Sequence, residues 1–448
     1  MDVSPQFWPT LTHVCQDWRR IVLTSPRSLH LRLYYEHGTP VSKTLDCWPT
    51  LPITVQYGGS PSLDLPAPEA EDNIIAALRQ SDHVSSINLV VTSSLLEKFS
   101  TISEPFLELE ELDLLSQENA QLTLPSTFRW GSCLRILRLT GITFPALPQL
   151  LHSSRNLVDL QLHEALDTWH IWPETLVSAL SGMAQLQSLS LHFLSTANHI
   201  VLPSTCGEHV ILPALARLNF QGNNAYLEDL VARIDAPGMR DIEITFSNRR
   251  IFGASKLSGF IDRIEMQKSH LRADILSSEC AISISLTQPG APTCLKVQVF
   301  CEPLSGQVYS MAQICGHFSD FISRVEDLRI NVTRPSSGHD GVDAGRLLDI
   351  FDSFTGVKWF HVAGNFSTDI VLALRPSERW RKNALPALHK LCIREPEPHC
   401  APLREAVGLF THSRRLSGCF IAVEYERQWI GGERRGTGMM ILSASTAR

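Results

Sequence analysis

A short apolar pattern, apolar-x-x-apolar-x-apolar, recurs along most of the chain. Its instances are Val84/Ile87/Leu89, Leu109/Leu112/Leu114, Leu134/Leu137/Leu139, Leu157/Leu160/Leu162, Leu186/Leu189/Leu191, Leu215/Leu218/Phe220 and Met239/Ile242/Ile244. After a gap it returns at Val325/Leu328/Ile330, Val357/Phe360/Val362 and Leu388/Leu391/Ile393. The middle positions 87, 112, 137, 160, 189, 218 and 242 stand 25, 25, 23, 29, 29 and 24 residues apart, and 328, 360 and 391 stand 32 and 31 apart. The last two apolar residues of each instance read as the inward side of a period-2 strand, with their neighbours turned to solvent. Between strands the period lengthens to that of a helix, as at 174–180, 226–234, 347–351 and 403–410.

Strand and helix alternating at this interval imply right-handed crossovers and parallel pairing. One such unit cannot bury its own apolar face, whereas stacked neighbours can. The expected fold class is therefore α/β, an irregular leucine-rich-repeat-like solenoid with a parallel sheet. The alternative is an ordinary α/β domain with leucine-rich parallel strands, from which ten matches to one template are hard to obtain. Irregularity is expected because the turn position that regular repeats fill with Asn or Cys is here Gln117, Ile142, Ala165, Leu194 and Asn223. Between about 247 and 320 the template fades, although 282–286 and 295–300 still read as strands. Breaks fall at 58–72, 288–293 and 335–345.

The first residues differ in character. Phe7, Leu11, Val14, Cys15, Trp18 and Ile21 or Val22 recur at spacings of three and four, which predicts an apolar helical face that Thr24-Ser25-Pro26 ends. The stretch from Leu11 to Ile21, with Ser25-Pro26-Arg27 and Leu29-His30-Leu31, resembles the second half of an F-box. It is most similar to the large group of F-box proteins of mushroom-forming fungi, which carry a Val-Cys-x-x-Trp-Arg core before an irregular leucine-rich region. Thr44 to Pro49, Phe354-Thr355-Gly356-Val357 and Val423 to Arg427 add to that likeness. The family's opening Leu-Pro-x-Glu segment has no counterpart before Leu11, so the F-box is read as N-terminally incomplete.

What this resemblance implies is a substrate-recognition subunit of a cullin–RING ubiquitin ligase that docks on a Skp-type adaptor and presents a protein target. Val14, Cys15 and Trp18 would form the helix core, with Leu11, Val14, Trp18, Ile21, Val22 and Pro26 as adaptor-binding candidates. The alternative is a stand-alone repeat scaffold with no ligase link, in which residues 7–23 simply cap the first repeat. The expected organisation is a partial F-box at 1–33, a connecting region with a linker at 34–83, repeats at 84–425 and a flexible tail at 426–448.

Composition narrows the chemistry. The net charge of -7, with short basic clusters such as 379–382 and 434–435 and no basic stripe, argues against a nucleic-acid or anionic-membrane binder. Neither a signal peptide nor an 18-residue apolar run is found, and the eleven scattered cysteines suit reduced thiols, so a cytoplasmic or nuclear location is expected. No nucleophile elbow, His-Glu-x-x-His, phosphate loop or dinucleotide fingerprint occurs, so no enzyme activity, cofactor or metal is expected. Of the seventeen histidines, His163, His192 and His361 fall on or just after strands. The solvent-facing strand positions mix both charge signs, which suits a protein or peptide partner. Arg138, Asp159, Arg217, Glu243, Arg329, Trp359 and His361 are the candidates for that surface.

Overall fold

The alternation read from the chain becomes a ladder in which equivalent apolar residues stack side by side. In this computed structural model the described residues are 14–24, 33–35, 52–57, 68–118, 122–163, 171–193, 209–247, 253–264, 271–288, 293–301, 304–332, 344–364, 367–374, 384–395 and 401–427. The chain divides into two units, 1–219 with 233–238, and 220–232 with 239–448.

The first unit carries strands β1 (Leu33–Tyr35), β2 (Ile53–Tyr57), β3 (Val84–Val91), β4 (Glu111–Ser116), β5 (Ile136–Thr140), β6 (Asp159–His163) and β7 (Ser188–His192), adjacent in chain order and parallel. It ends in the first half of β8 (Arg217–Gly222). Its helices are α1 (Gln16–Thr24), α2 (Pro68–Leu78), α3 (Ser93–Phe99), α4 (Leu147–Leu151) and α5 (Pro173–Leu180). The connecting region at 34–83 thus contributes two strands and a helix, and α2 begins inside the break read at 58–72.

Two apolar columns run across these strands in register. One is Ile87, Leu112, Leu137, Leu160 and Leu189, and the other Leu89, Leu114, Leu139, Leu162 and Leu191. No member is more than 1% exposed. Backbone amides lock the register: Arg135 and Ile136 N–H both donate to Glu110 O, Val158 and Asp159 to Arg135 O, and Gln187 and Ser188 to Val158 O. Behind them Phe128 fills the connections, with ring centres 5.7 Å from Phe99, 5.0 Å from Phe106 and 6.4 Å from Trp130. Trp130 satisfies its indole N–H on Ser154 Oγ at 2.8 Å, so it is a core residue.

The second unit is built on β9 (Asp241–Phe246), β10 (Leu271–Ser277), β11 (Ala281–Thr287), β12 (Thr293–Phe300), β13 (Val325–Val332), β14 (Trp359–Ala363), β15 (Lys390–Glu395) and β16 (Ala422–Arg427). Helices α6 (Asn224–Val231), α7 (Ser255–Arg263), α8 (Leu304–His317), α9 (Ser319–Ile322), α10 (Ala344–Asp352), α11 (Ser367–Ala373) and α12 (Ala401–Leu416) lie between them. Spatial order is β9-β12-β11-β10-β13-β14-β15-β16. The stretch where the template fades is thus where an all-parallel reading needs correcting. There β11 runs antiparallel to both β10 and β12, while β12 is parallel to β9 and β10 to β13. A tight β10–β11 turn, 278–280, can join only antiparallel neighbours. Beyond it the columns resume as Leu328, Phe360, Leu391, Val423 and as Ile330, Val362, Ile393, Tyr425.

Buried polar groups in this unit close the ends of its elements. Gln307 on α8, 1% exposed, accepts from Ser277 Oγ at 2.6 Å and donates to Ser278 O at 3.0 Å and Cys301 O at 2.8 Å. It thereby joins the β10–β11 turn to the residue after β12. Arg414 on α12 is 1% exposed and donates to Leu385 O at 2.8 Å, a residue held at φ 50°. Asn223, the one match to the repeat asparagine, accepts from Ala225 N–H at 2.8 Å and caps α6.

The helix expected over 7–23 is observed from Gln16 to Thr24, and residues 1–13 lie outside the described residues. One expectation is corrected. Val14, Cys15 and Trp18 do not form a buried core; all three are exposed, as is Ile21. The helix leaves Trp18 and Ile21 exposed on one side.

Phe128 is 1% exposed at the centre of three aromatic contacts. Phe128→Ala is expected to destabilise the protein by about 3–5 kcal/mol, read as a lower urea midpoint. A loss no larger than that of an exposed substitution would contradict this packing.

Candidate functional site

Because inward leucines alternate with solvent-side residues, each strand presents a row of polar side chains on one face. In the first unit β4, β5 and β6 bring Glu111, Asp113, Arg138 and Asp159 together. Arg138 donates to Asp159 Oδ2 through Nη2 at 2.8 Å and Nε at 3.2 Å, and its Nη1 stands 3.6 Å from both Glu111 and Asp113. One guanidinium thus serves three carboxylates. Burial works against the Arg138 charge, but Asp159, Asp113 and Glu111 outweigh it and raise its pKa. Burial pushes the Asp113 carboxyl up, opposed by Arg138 and reinforced by Glu111 and Asp159. Gln161 Nε2 also donates to Asp159 Oδ2, at 3.0 Å.

Beside this cluster the strands β6 and β7 align His163 with His192. Their rings stack with centres 3.8 Å apart and planes 1° apart, and the Nε2 atoms stand 3.0 Å and 3.4 Å from Ser190 Oγ. Burial pushes His163 down to about 4; His192 adds to the shift and Asp159 opposes it. Arg217, at the start of β8, is exposed.

The second unit carries the remaining candidates. Glu243 on β9 accepts from Lys296 Nζ of β12 at 2.5 Å. Arg329 donates through Nη2 to Asp327 Oδ2 at 3.3 Å, and His361 Nε2 stands 3.4 Å from Asp327 Oδ1. Trp359 is 41% exposed on the expected solvent side of β14. Sequence reasoning missed Arg272 and Asp274, which β10 places in register with Asp327 and Arg329. Arg272 Nε lies 3.4 Å from Asp274 and 3.8 Å from Asp327. The alternation Leu271-Arg272-Ala273-Asp274-Ile275 was the available signal, but the missing template hid which strand it neighbours. Burial raises Asp327, with His361 and Arg272 opposing, and it raises Asp274, with Arg272 opposing.

Of the adaptor candidates, Val14, Trp18 and Ile21 sit exposed at α1. The Val22 side chain, Leu11 and Pro26 lie outside the described residues. Among the described residues no three His, Cys, Asp or Glu side chains gather as a metal would require, and no helix is long and apolar enough to cross a membrane.

No family pattern and no curated protein matches this chain in sequence. Among solved structures, a leucine-rich-repeat-containing protein of Legionella pneumophila, LegL7, is similar at 12% identity, covering 86% of this chain and 98% of that one, with a TM-score of 0.27. At that score the superposition carries no weight; the repeat character rests on the registered columns.

The His163 geometry fixes a pH window. An unfolded histidine protonates near 6.5, whereas the folded His163 does so only at about 4. Protons therefore favour the unfolded chain between those values, and stability falls as pH drops from about 6.5 to about 4. His163→Phe is expected to flatten this part of the profile of urea midpoint against pH. An unchanged slope would contradict the assignment.

Proposed function

We propose that the protein is a non-enzymatic recognition subunit: its solvent-side strand rows bind a protein target, and α1 docks on the Skp-type adaptor of a cullin–RING ligase. The observation that carries the adaptor half is the exposed stripe of Val14, Trp18 and Ile21, 65%, 47% and 50% accessible. Trp18 and Ile21, three residues apart, lie on one side of the helix, and Val14 stands just before its start. Leaving a tryptophan and two aliphatic residues in water forgoes roughly 1.5–3 kcal/mol per side chain that burial would return, and a docked adaptor recovers it. Mixed charge on the strand rows supports a folded protein or peptide target over a polyanion. No cofactor is assigned a role in this reading.

A stand-alone scaffold without a ligase link is the second reading. It is favoured by the same exposure, since neither Val14 nor Trp18 and Ile21 of α1 are buried against the repeats.

The readings separate by co-purification of the full chain with the fungal Skp adaptor. The ligase reading expects capture, lost at least tenfold in the double variant Trp18→Ala/Ile21→Ala, with folding stability unchanged within about 0.5 kcal/mol. Absence of capture, or capture indifferent to the double variant, overturns the adaptor half and leaves the scaffold.

A further inference from the structure

The solvent-side face of the second unit contains a cleft of about 230 Å³ over β10, β13, β14 and β15. Its residues form two registered rows: Asp274, Arg329, His361, Cys392 and, one step further along, Leu276, Asn331, Ala363, Arg394. The hollow exists because Ala363 brings only a methyl group to the second row. The chain then turns away at Gly364, held at φ 92°, where a Cβ would lie 2.3 Å from Val332 O. Any other residue there is strained.

We infer that this cleft is a binding subsite for the carboxylate of an acidic side chain, of glutamate type, presented by a protein partner. The inference rests on the recognition reading above and names one chemistry for that surface. Arg329 and Arg394 line opposite corners. Two strand spacings and two residue steps separate their Cα atoms by roughly 10 Å across and roughly 7 Å along, a gap two arginine side chains can span from both sides. The carboxylates native to the face are already ion-paired: Asp274, itself a lining residue, with Arg272, and Asp327 with Arg272, His361 and Arg329. Arg329 donates to Asp327 through Nη2, while its buried Nε donates to no acceptor among the described residues. The Arg329 side chain is 42% exposed and lines the cleft, so its guanidinium, which carries five N–H donors, has donors beyond the one Asp327 takes for a carboxylate in the cleft.

Size and lining point the same way. Whole-ligand pockets occupy about 300–1,000 Å³, so this cleft suits one side chain and excludes a nucleotide or large cofactor. Leu276, 50% exposed, and Ala363 offer apolar surface for the methylenes of a glutamate. Asn331, exposed on the rim, adds an amide donor.

The test is a ligand-observed NMR titration of the full chain with three small probes. N-acetyl-glutamate α-amide carries only a side-chain carboxylate, N-acetyl-glutamine α-amide is its neutral isostere, and N-acetyl-glycine carries only a terminal carboxylate. The glutamate probe is expected to bind in the millimolar range and at least about tenfold more tightly than the glutamine probe, 1.4 kcal/mol. Arg329→Gln and the exposed-rim variant Arg394→Gln are each expected to remove that preference, and Arg135→Gln in the first unit to keep it. Arg329→Lys, which keeps the charge and loses the fork, is expected to fall between. Equal binding of the glutamate and glutamine probes, or no binding of either, overturns the subsite. Preference for N-acetyl-glycine overturns the side-chain assignment in favour of a chain terminus. Adaptor or target capture by a chain that fails this titration would overturn the subsite alone and leave the recognition reading standing.

Discussion

The interaction on which everything else depends is the lateral stacking of two apolar columns, one residue apart from the polar rows that flank them. Leu112, Leu137, Leu160 and Leu189 meet as direct neighbours on successive parallel strands. Because strand side chains alternate, a slip of one residue would turn the leucines to water and bury Arg138 and Asp159. Burying such charges without their partners costs far more than any single contact returns. The apolar columns thus set the register, and the register alone decides which polar groups share a face.

That constraint explains why the face is assembled from residues far apart in the chain. Arg138 meets Glu111, Asp113 and Asp159 only because β4, β5 and β6 are aligned. The cleft of the second unit likewise draws on β10, β13, β14 and β15. Each unit displays a different local chemistry on its strands: excess carboxylate around one arginine in the first, a half-exposed arginine beside a cleft in the second. Recognition by rows of varied residues needs no motif, and this agrees with a surface that no short pattern in the chain announces.

Much of the ladder was legible because leucine at period two, repeated with intervening helical segments, has few other solutions. Trp359 and His361 were correctly expected on the solvent side of their strand. The inverted strand β11 was not legible, because its Ile282, Ile284 and Leu286 alternate equally well in either direction. Direction is set by the short β10–β11 turn and by Gln307, whose clamp joins residues from three elements. For the same reason Arg272 and Asp274 escaped notice as neighbours of Asp327 and Arg329. A core role for Val14, Cys15 and Trp18 was expected from the F-box resemblance; the apolar spacing itself says only that a face wants a partner, not that the same chain supplies it.

The central claim, that inward positions hold the fold while their immediate neighbours face solvent, is tested most directly by urea unfolding of two variants one residue apart on β7. Leu189 is 1% exposed in its column, and Ser188 lies on the solvent-side row. Leu189→Ala is expected to cost about 2–5 kcal/mol, and Ser188→Ala to stay within about 0.5 kcal/mol. Similar costs at the two positions, or the larger cost at Ser188, would contradict the register of the first unit and with it the placement of the solvent-side residues on its strands.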